Sequence, residues 1–152
     1  MKKKNIMIYT MLTSILVCGG GQAKSPLTFD PLHKATGNIR IVLKPSTENI
    51  LSGVQKEDAT MFILKISDFT QNKNHGFRLI PTGRSLGWKA YNDNLDSVQL
   101  SPANNSTWHL CEDGNGWCTT RKENEPLMLI ITKGTLLKAG QYRFSGMVEE
   151  YE

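Results

Sequence analysis

The apolar positions of this chain fall into short runs with period two, and the runs stop at Gly, Pro and Asn. Ile39 to Leu43 alternates and stops at Pro45. Ala59 to Ile66 places Phe62, Leu64 and Ile66 on one face, and Phe77 to Ile80 alternates up to Pro81. Trp88–Tyr91, Val98–Leu100 and Thr107–Leu110 are shorter candidates. Leu127 to Thr132 is continuously apolar, as a strand covered on both faces is, and Tyr142, Phe144, Gly146 and Val148 share a face of the last run. Period two over a few residues, bounded by turn formers, predicts β-strands. Only Asn49–Gln55 is expected to hold a helical turn. Many short strands and almost no helix imply an all-β sandwich or barrel.

The tyrosine of the last run favours a sandwich. Leu137-Lys-Ala-Gly-Gln-Tyr142 sets it just after a glycine turn, the pattern of a tyrosine corner. There the ring packs inward and the hydroxyl bonds back to the turn backbone; a tyrosine on an edge is the plainer alternative. A sandwich of the immunoglobulin type needs one more strand after Tyr142–Val148, and only Glu149 to Glu152 follow. The expected result is an open edge beside Tyr142, Phe144, Gly146 and Val148 that invites another chain to pair. Upstream, an extended Leu27–Ala35 would put Leu27, Phe29, Pro31, His33 and Ala35 on one mostly apolar face. A missing last strand and a spare amphipathic first one suggest strand donation between subunits. Alone, that tail reads equally well as an unstructured terminus.

Composition adds an export route. Lys2, Lys3 and Lys4 precede an apolar stretch from Ile6 to Val17, and Gly21-Gln-Ala23 supplies small residues at a cleavage site. This is the layout of a signal peptide, too short for a membrane span. Cleavage is expected after Ala23; a lipoprotein signal at Cys18 is the rival, disfavoured by the bulk of Val17. The chain then divides into a leader (1–23), a donor strand and hinge (24–37) and a domain (38–152). Without the leader's lysines, 15 of the 18 basic residues face 14 acidic ones, so the formal net charge falls from +4 to +1. No basic excess argues for a nucleic-acid partner.

Candidate chemistry is sparse. Cys111 and Cys118 flank Glu-Asp-Gly-Asn-Gly-Trp, a hairpin-turn sequence, and in an exported chain they read as a disulfide, with two free thiols as the alternative. His109 is near them, but His33 and His75 are distant, so no zinc spacing emerges and neither metal nor cofactor is expected. No nucleophile elbow, metalloprotease helix or phosphate loop occurs, and an enzyme is not expected. Trp108 and Trp117, with Tyr91 behind them, are the candidate receptor-binding aromatics, since sugars stack on exposed rings; a core role is the alternative for Trp108.

Three collinear stretches carry a family resemblance: Asp58-Ala-Thr-Met-Phe62, Phe77-Arg-Leu-Ile-Pro-Thr-Gly83, and Lys133 to Phe144 continuing through Gly146, Val148 and Tyr151. Together with weaker similarity from Lys44 to Tyr151, they resemble major fimbrial subunits of the pH 6 antigen and Myf type, assembled by the chaperone–usher pathway. The resemblance implies an incomplete immunoglobulin-like sandwich, completed by the N-terminal strand of a neighbouring subunit. It also implies a periplasmic chaperone, an outer-membrane usher, and an adhesive surface fimbria that binds host glycolipids through galactose or a phosphocholine head group. Two features depart from the family pattern: the cysteine pair in the hairpin, and Pro26 and Pro31 in the donor segment. A secreted monomeric carbohydrate-binding module, such as a toxin binding subunit, is the alternative function.

Overall fold

The structure is a computed structural model of the 152-residue chain, and it describes residues 5–18, 39–68, 76–120 and 126–151. These form thirteen strands and one 3-10 turn. In chain order the strands are β1 (Asn5–Cys18), β2 (Ile39–Pro45), β3 (Gly53–Val54), β4 (Ala59–Asp68), β5 (Gly76–Pro81), β6 (Lys89–Tyr91) and β7 (Ser97–Gln99). After them come β8 (Ser101–Pro102), β9 (His109–Leu110), β10 (Trp117–Thr120), β11 (Leu127–Ile131), β12 (Leu136–Leu137) and β13 (Gly140–Tyr151). The 3-10 turn is Gly83–Ser85.

Two sheets enclose the core. One has four strands in the order β2-β4-β11-β8. The other runs β7-β6-β13-β5-β10-β9, with β1 on the remaining side of β13. This is an immunoglobulin-like sandwich, and each sheet supplies its inward positions as the alternation requires. Ile41, Leu43, Phe62, Leu64 and Ile66 from the first sheet meet Phe77, Leu79, Tyr142, Phe144 and Val148 from the second, all buried. β11 carries Leu127, Leu129, Ile130 and Ile131 inside, as its unbroken apolar run predicts. A register irregularity between Leu129 and Ile130 lets consecutive residues bury together.

Two elements differ from what the pattern of apolar positions predicts. Asn49–Gln55 forms no helical turn; Gly53 and Val54 instead pair with Leu137 and Leu136 as a small separate ribbon. The Thr107–Leu110 candidate shrinks to β9. The apolar stretch of the expected leader lies within β1, which runs antiparallel to β13 from Asn5↔Tyr151 to Cys18↔Gly140 and lies alongside β2. This pairing satisfies the backbone groups that the long β13 edge would otherwise leave open. The donor-strand positions Leu27, Phe29, Pro31, His33 and Ala35 lie outside the described residues.

Candidate functional site

β13 organises the molecule. Its inward side chains Tyr142, Phe144 and Val148 are buried, as is Gly146 between them. Phe144 packs between Phe62 (ring centroids 6.0 Å apart) and Trp88, on which it stacks at 6.1 Å with the planes 16° apart. Gly146 is a packing requirement: a Cβ there would stand 2.9 Å from Leu79 Cδ1 and 3.3 Å from the Ile80 carbonyl oxygen. Tyr142 makes the expected corner, its hydroxyl donating to the Lys138 carbonyl oxygen at 3.0 Å.

The two sides of β13 are closed by different means. On one side β5 pairs from Gly146↔Pro81 to Tyr151↔Gly76, and β6 meets it at Arg143↔Tyr91. Between them the 3-10 turn completes the ladder: Ser145 N–H donates to Ser85 Oγ at 2.9 Å, and Thr82 N–H donates to the Ser145 carbonyl at 3.0 Å. Ser85 is fully buried, and this bond satisfies a hydroxyl that burial would otherwise penalise. On the other side only β1 pairs, along the whole strand. The four positions Tyr142, Phe144, Gly146 and Val148 thus face the core beside the β1 edge.

At the opposite margin of the same sheet, Cys111 and Cys118 form a disulfide with Cα atoms 5.2 Å apart. The hairpin around it is held by polar contacts. Cys111 N–H donates to the Gly116 carbonyl, Gly114 N–H to the Cys111 carbonyl, and Asn115 N–H to Asp113 Oδ1. Gly116 has φ +91° and its missing Cβ leaves room for the Leu79 carbonyl, which a Cβ would approach to 2.6 Å. Arg78 Nη1 reaches from β5 to Asp113 Oδ2 at 2.7 Å. The Asn115 N–H bond, with Arg78 behind it, holds the Asp113 carboxyl below the usual carboxylate range.

The three candidate receptor aromatics are not brought together. Trp108 is 4% exposed and belongs to the core, so its ring offers no stacking face, and the receptor reading gives way to a packing one. Trp117 pairs with Leu79, which pairs with Val148, so it faces inward and meets Trp88 edge-on at 6.1 Å, partly buried. Tyr91 is opposite Arg143 on the outer face of the sheet and is half-buried. Arg84 lies 5.8 Å over the Tyr91 ring, and the Tyr91 hydroxyl is 3.4 Å from Ser145 Oγ. The Arg143–Asp93 ion pair borders it. Arg84, Arg143 and Asp93 were missed from the sequence because only the fold places them around Tyr91. Among the described residues no group of His, Cys, Asp and Glu could hold a metal ion.

Comparison with known proteins identifies this arrangement. The family model described as pH 6 antigen matches residues 39–152. The chain belongs to the pH 6 antigen family. It is similar to the pH 6 antigen of Yersinia pestis, with 31% identity over 155 residues that cover 97% of this chain and 94% of that protein. It is also similar to the fimbrial protein MyfA of Yersinia enterocolitica, 30% identical over 118 residues, covering 78% of this chain and 70% of that one. Among solved structures, self-complemented MyfA, the major subunit of Myf fimbriae, superposes with a TM-score of 0.62 at 27% identity, covering 73% of this chain and 84% of that one. The same subunit in complex with galactose gives a TM-score of 0.62 at 28% identity, covering 73% and 85%. Within this family fold, the cysteine-closed hairpin and the covered β13 edge are the features that bear on function.

Proposed function

We propose that this protein is the structural and adhesive subunit of a bacterial surface fimbria, joined to its neighbours by strand exchange, and that it is not an enzyme. The single observation that carries the reading is the β13 edge. Over its whole length it is paired by a segment from far outside the matched 39–152 region, running antiparallel to it. Removal of the leader 1–23 during export would vacate that edge. The segment Leu27–Ala35 then fills it, but not in its own subunit. With Ala35 beside Gly140, the steps from Ala35 to Ile39 reach at most about 14 Å. Ile39 starts at the far end of β2, whose seven residues span about 20 Å. The strand must therefore come from another copy. A periplasmic chaperone would hold the edge until then, and an outer-membrane usher would pass the subunits to the surface.

Insertion buries Leu27 and Phe29, each worth roughly 1.5–3 kcal/mol when fully covered. A Phe29→Asp subunit would carry an unpaired carboxylate into the groove, which is prohibitive. Such subunits are expected to stay chaperone-bound and give no boiling-sensitive ladders on gels. Normal surface fibres from them would remove Leu27–Ala35 as the donor strand. A wild-type protein that is monomeric throughout would instead favour a secreted sugar-binding module.

For adhesion, the galactose-bound MyfA structure supports a galactose-bearing host glycolipid as receptor. The outer face around Tyr91 is the better placed candidate contact, with Trp117 second. Binding of fibres to immobilised galactosyl lipid should fall for Tyr91→Ala while ladders persist; undiminished binding would place the receptor contact elsewhere. Phosphocholine vesicles offer the parallel test of the other head group.

A further inference from the structure

The end of the sandwich where β13 begins carries an apolar knob. Val54 on β3 and Leu136 on β12 are register partners, so their side chains stand together, and they are 65% and 60% exposed. Leu51, 48% exposed, lies three residues before Val54 in the same connection. Among the described residues, the other large exposed apolar side chains, Leu86, Leu95, Leu110 and Met128, sit singly on other elements, as is ordinary on a protein surface. The knob is also stiff. Gln55 N–H donates to the Thr135 carbonyl at 2.9 Å and Gly134 N–H to the Gln55 carbonyl at 2.8 Å. Lys133 N–H donates to Asp58 Oδ1 at 2.8 Å, and Leu137 anchors the ribbon from inside the core. A fixed backbone that holds apolar side chains in water is the form of a docking surface.

We propose that Leu51, Val54 and Leu136 are the seat of the neighbouring copy of this chain in the fibre. The inference rests on the strand-exchange reading above. The occupant follows from where a strand in the β13 groove must leave it. β1 ends with Cys18 opposite Gly140, close in sequence to Leu136 and Leu137, so an antiparallel strand in this groove emerges beside the knob. A donor strand ending at Ala35 is joined to its own β2 by Thr36, Gly37 and Asn38 alone. That leash of at most about 14 Å forces the donating subunit against this end of the sandwich. The end it presents is the one where its β2 begins. The knob thus adds a second contact to the strand pairing and restrains the angle between successive subunits.

Hydroxyl-radical footprinting, read residue by residue by mass spectrometry, tests this on unaltered protein. The full 152-residue chain, with β1 in the groove, serves as monomer, and assembled fibres serve as polymer. Leu51, Val54 and Leu136 should lose reactivity in fibres while Leu86 and Leu95 keep theirs. Equal reactivity of the three in both forms, with boiling-sensitive ladders present, would overturn the interface and leave strand exchange standing. Absence of ladders from the wild-type protein would overturn strand exchange and this inference with it. A Val54→Asp, Leu136→Asp double variant supplies a second readout. It should keep its ladders but show a wider spread of bend angles in electron micrographs, and an unchanged spread would count against the knob.

Discussion

Two margins of the larger sheet solve the same problem in opposite ways. At the β9 margin the last strand is two residues long, and the disulfide turns the chain back at once. The surrounding positions Glu112, Asp113 and Asn115 are exposed and polar. Short strands, charge and a covalent stop are standard means of making an edge unattractive to other chains. At the β13 margin the strand is twelve residues long, its inward face from Gly140 to Val148 is apolar or glycine, and its free side is paired along its entire length by a remote segment. On the strand-exchange proposal, blunting the β9 margin and leaving the β13 margin long would favour association at the latter. The difference teaches that the two margins have opposite characters: the hairpin is short, polar and closed, whereas the groove edge is long, apolar and covered by another segment.

Each consequence of that division can be measured. The largest effect belongs to β13. Phe144→Ala removes a buried ring packed on Phe62 and Trp88 and should cost about 3–5 kcal/mol. A urea midpoint close to that of the unaltered protein would break the comparison at its stronger side. Opening the hairpin with Cys111→Ser and Cys118→Ser should cost less, at most about 2 kcal/mol, because so short a ring removes little chain entropy. Two-state unfolding and fibre assembly should persist in that variant. A collapse of either would show that the β9 margin is structural and not only protective. Non-reducing digestion of exported protein should recover the two cysteines linked, and free thiols would end the disulfide assignment.

Smaller still is Tyr142→Phe, which keeps the ring and deletes the bond to the Lys138 carbonyl. A loss of about 1 kcal/mol is expected from the denaturation midpoint. The smallest effect is electrostatic and belongs to the hairpin. Since Asp113 is held below its unfolded pKa, its contribution is present above about pH 4 and fades as pH falls through the folded-state value. The carboxyl resonance of Asp113 should titrate below the ordinary carboxylate range, and Arg78→Met should move it upward. No movement would mean that Arg78 does not act on the hairpin's charge.

How much of this was legible beforehand depends on which force sets each element. β2, β4, β5, β11 and β13 were readable because one-sided or complete burial writes itself into the sequence as alternation or as an apolar run. The corner at Tyr142 was readable because it is local, spanning only Lys138 to Tyr142. The ribbon of β3 and β12 was not, since two-residue ladders leave no period. The pairing of β1 with β13 was not legible because an apolar leader stretch carries no signal of the strand it will lie beside. The placement of the aromatics was not legible for a further reason. Trp117 and Tyr91 lie on opposite faces of one sheet, and that follows from registers running across β10, β5, β13 and β6. Proximity along the chain carries no such information. The positions 27–35 remain a matter of sequence and chain length.

The stacking of Trp88 on Phe144 also has an optical consequence. Phe144 lies on the strand that borders the groove, and Trp88 in turn meets Trp117 edge-on. Two indoles, one of them in van der Waals reach of a groove-lining ring, sit within a few residues' breadth of the edge a partner must cover. When the groove is filled the pair is shielded from water and emits at short wavelength. Emptying it should loosen Phe144, let water reach Trp88 and shift the emission to the red. Intrinsic fluorescence is therefore expected to report occupancy of the β13 edge without a label, so that an exchange of one strand for another there would become a rate that a stopped-flow instrument can record.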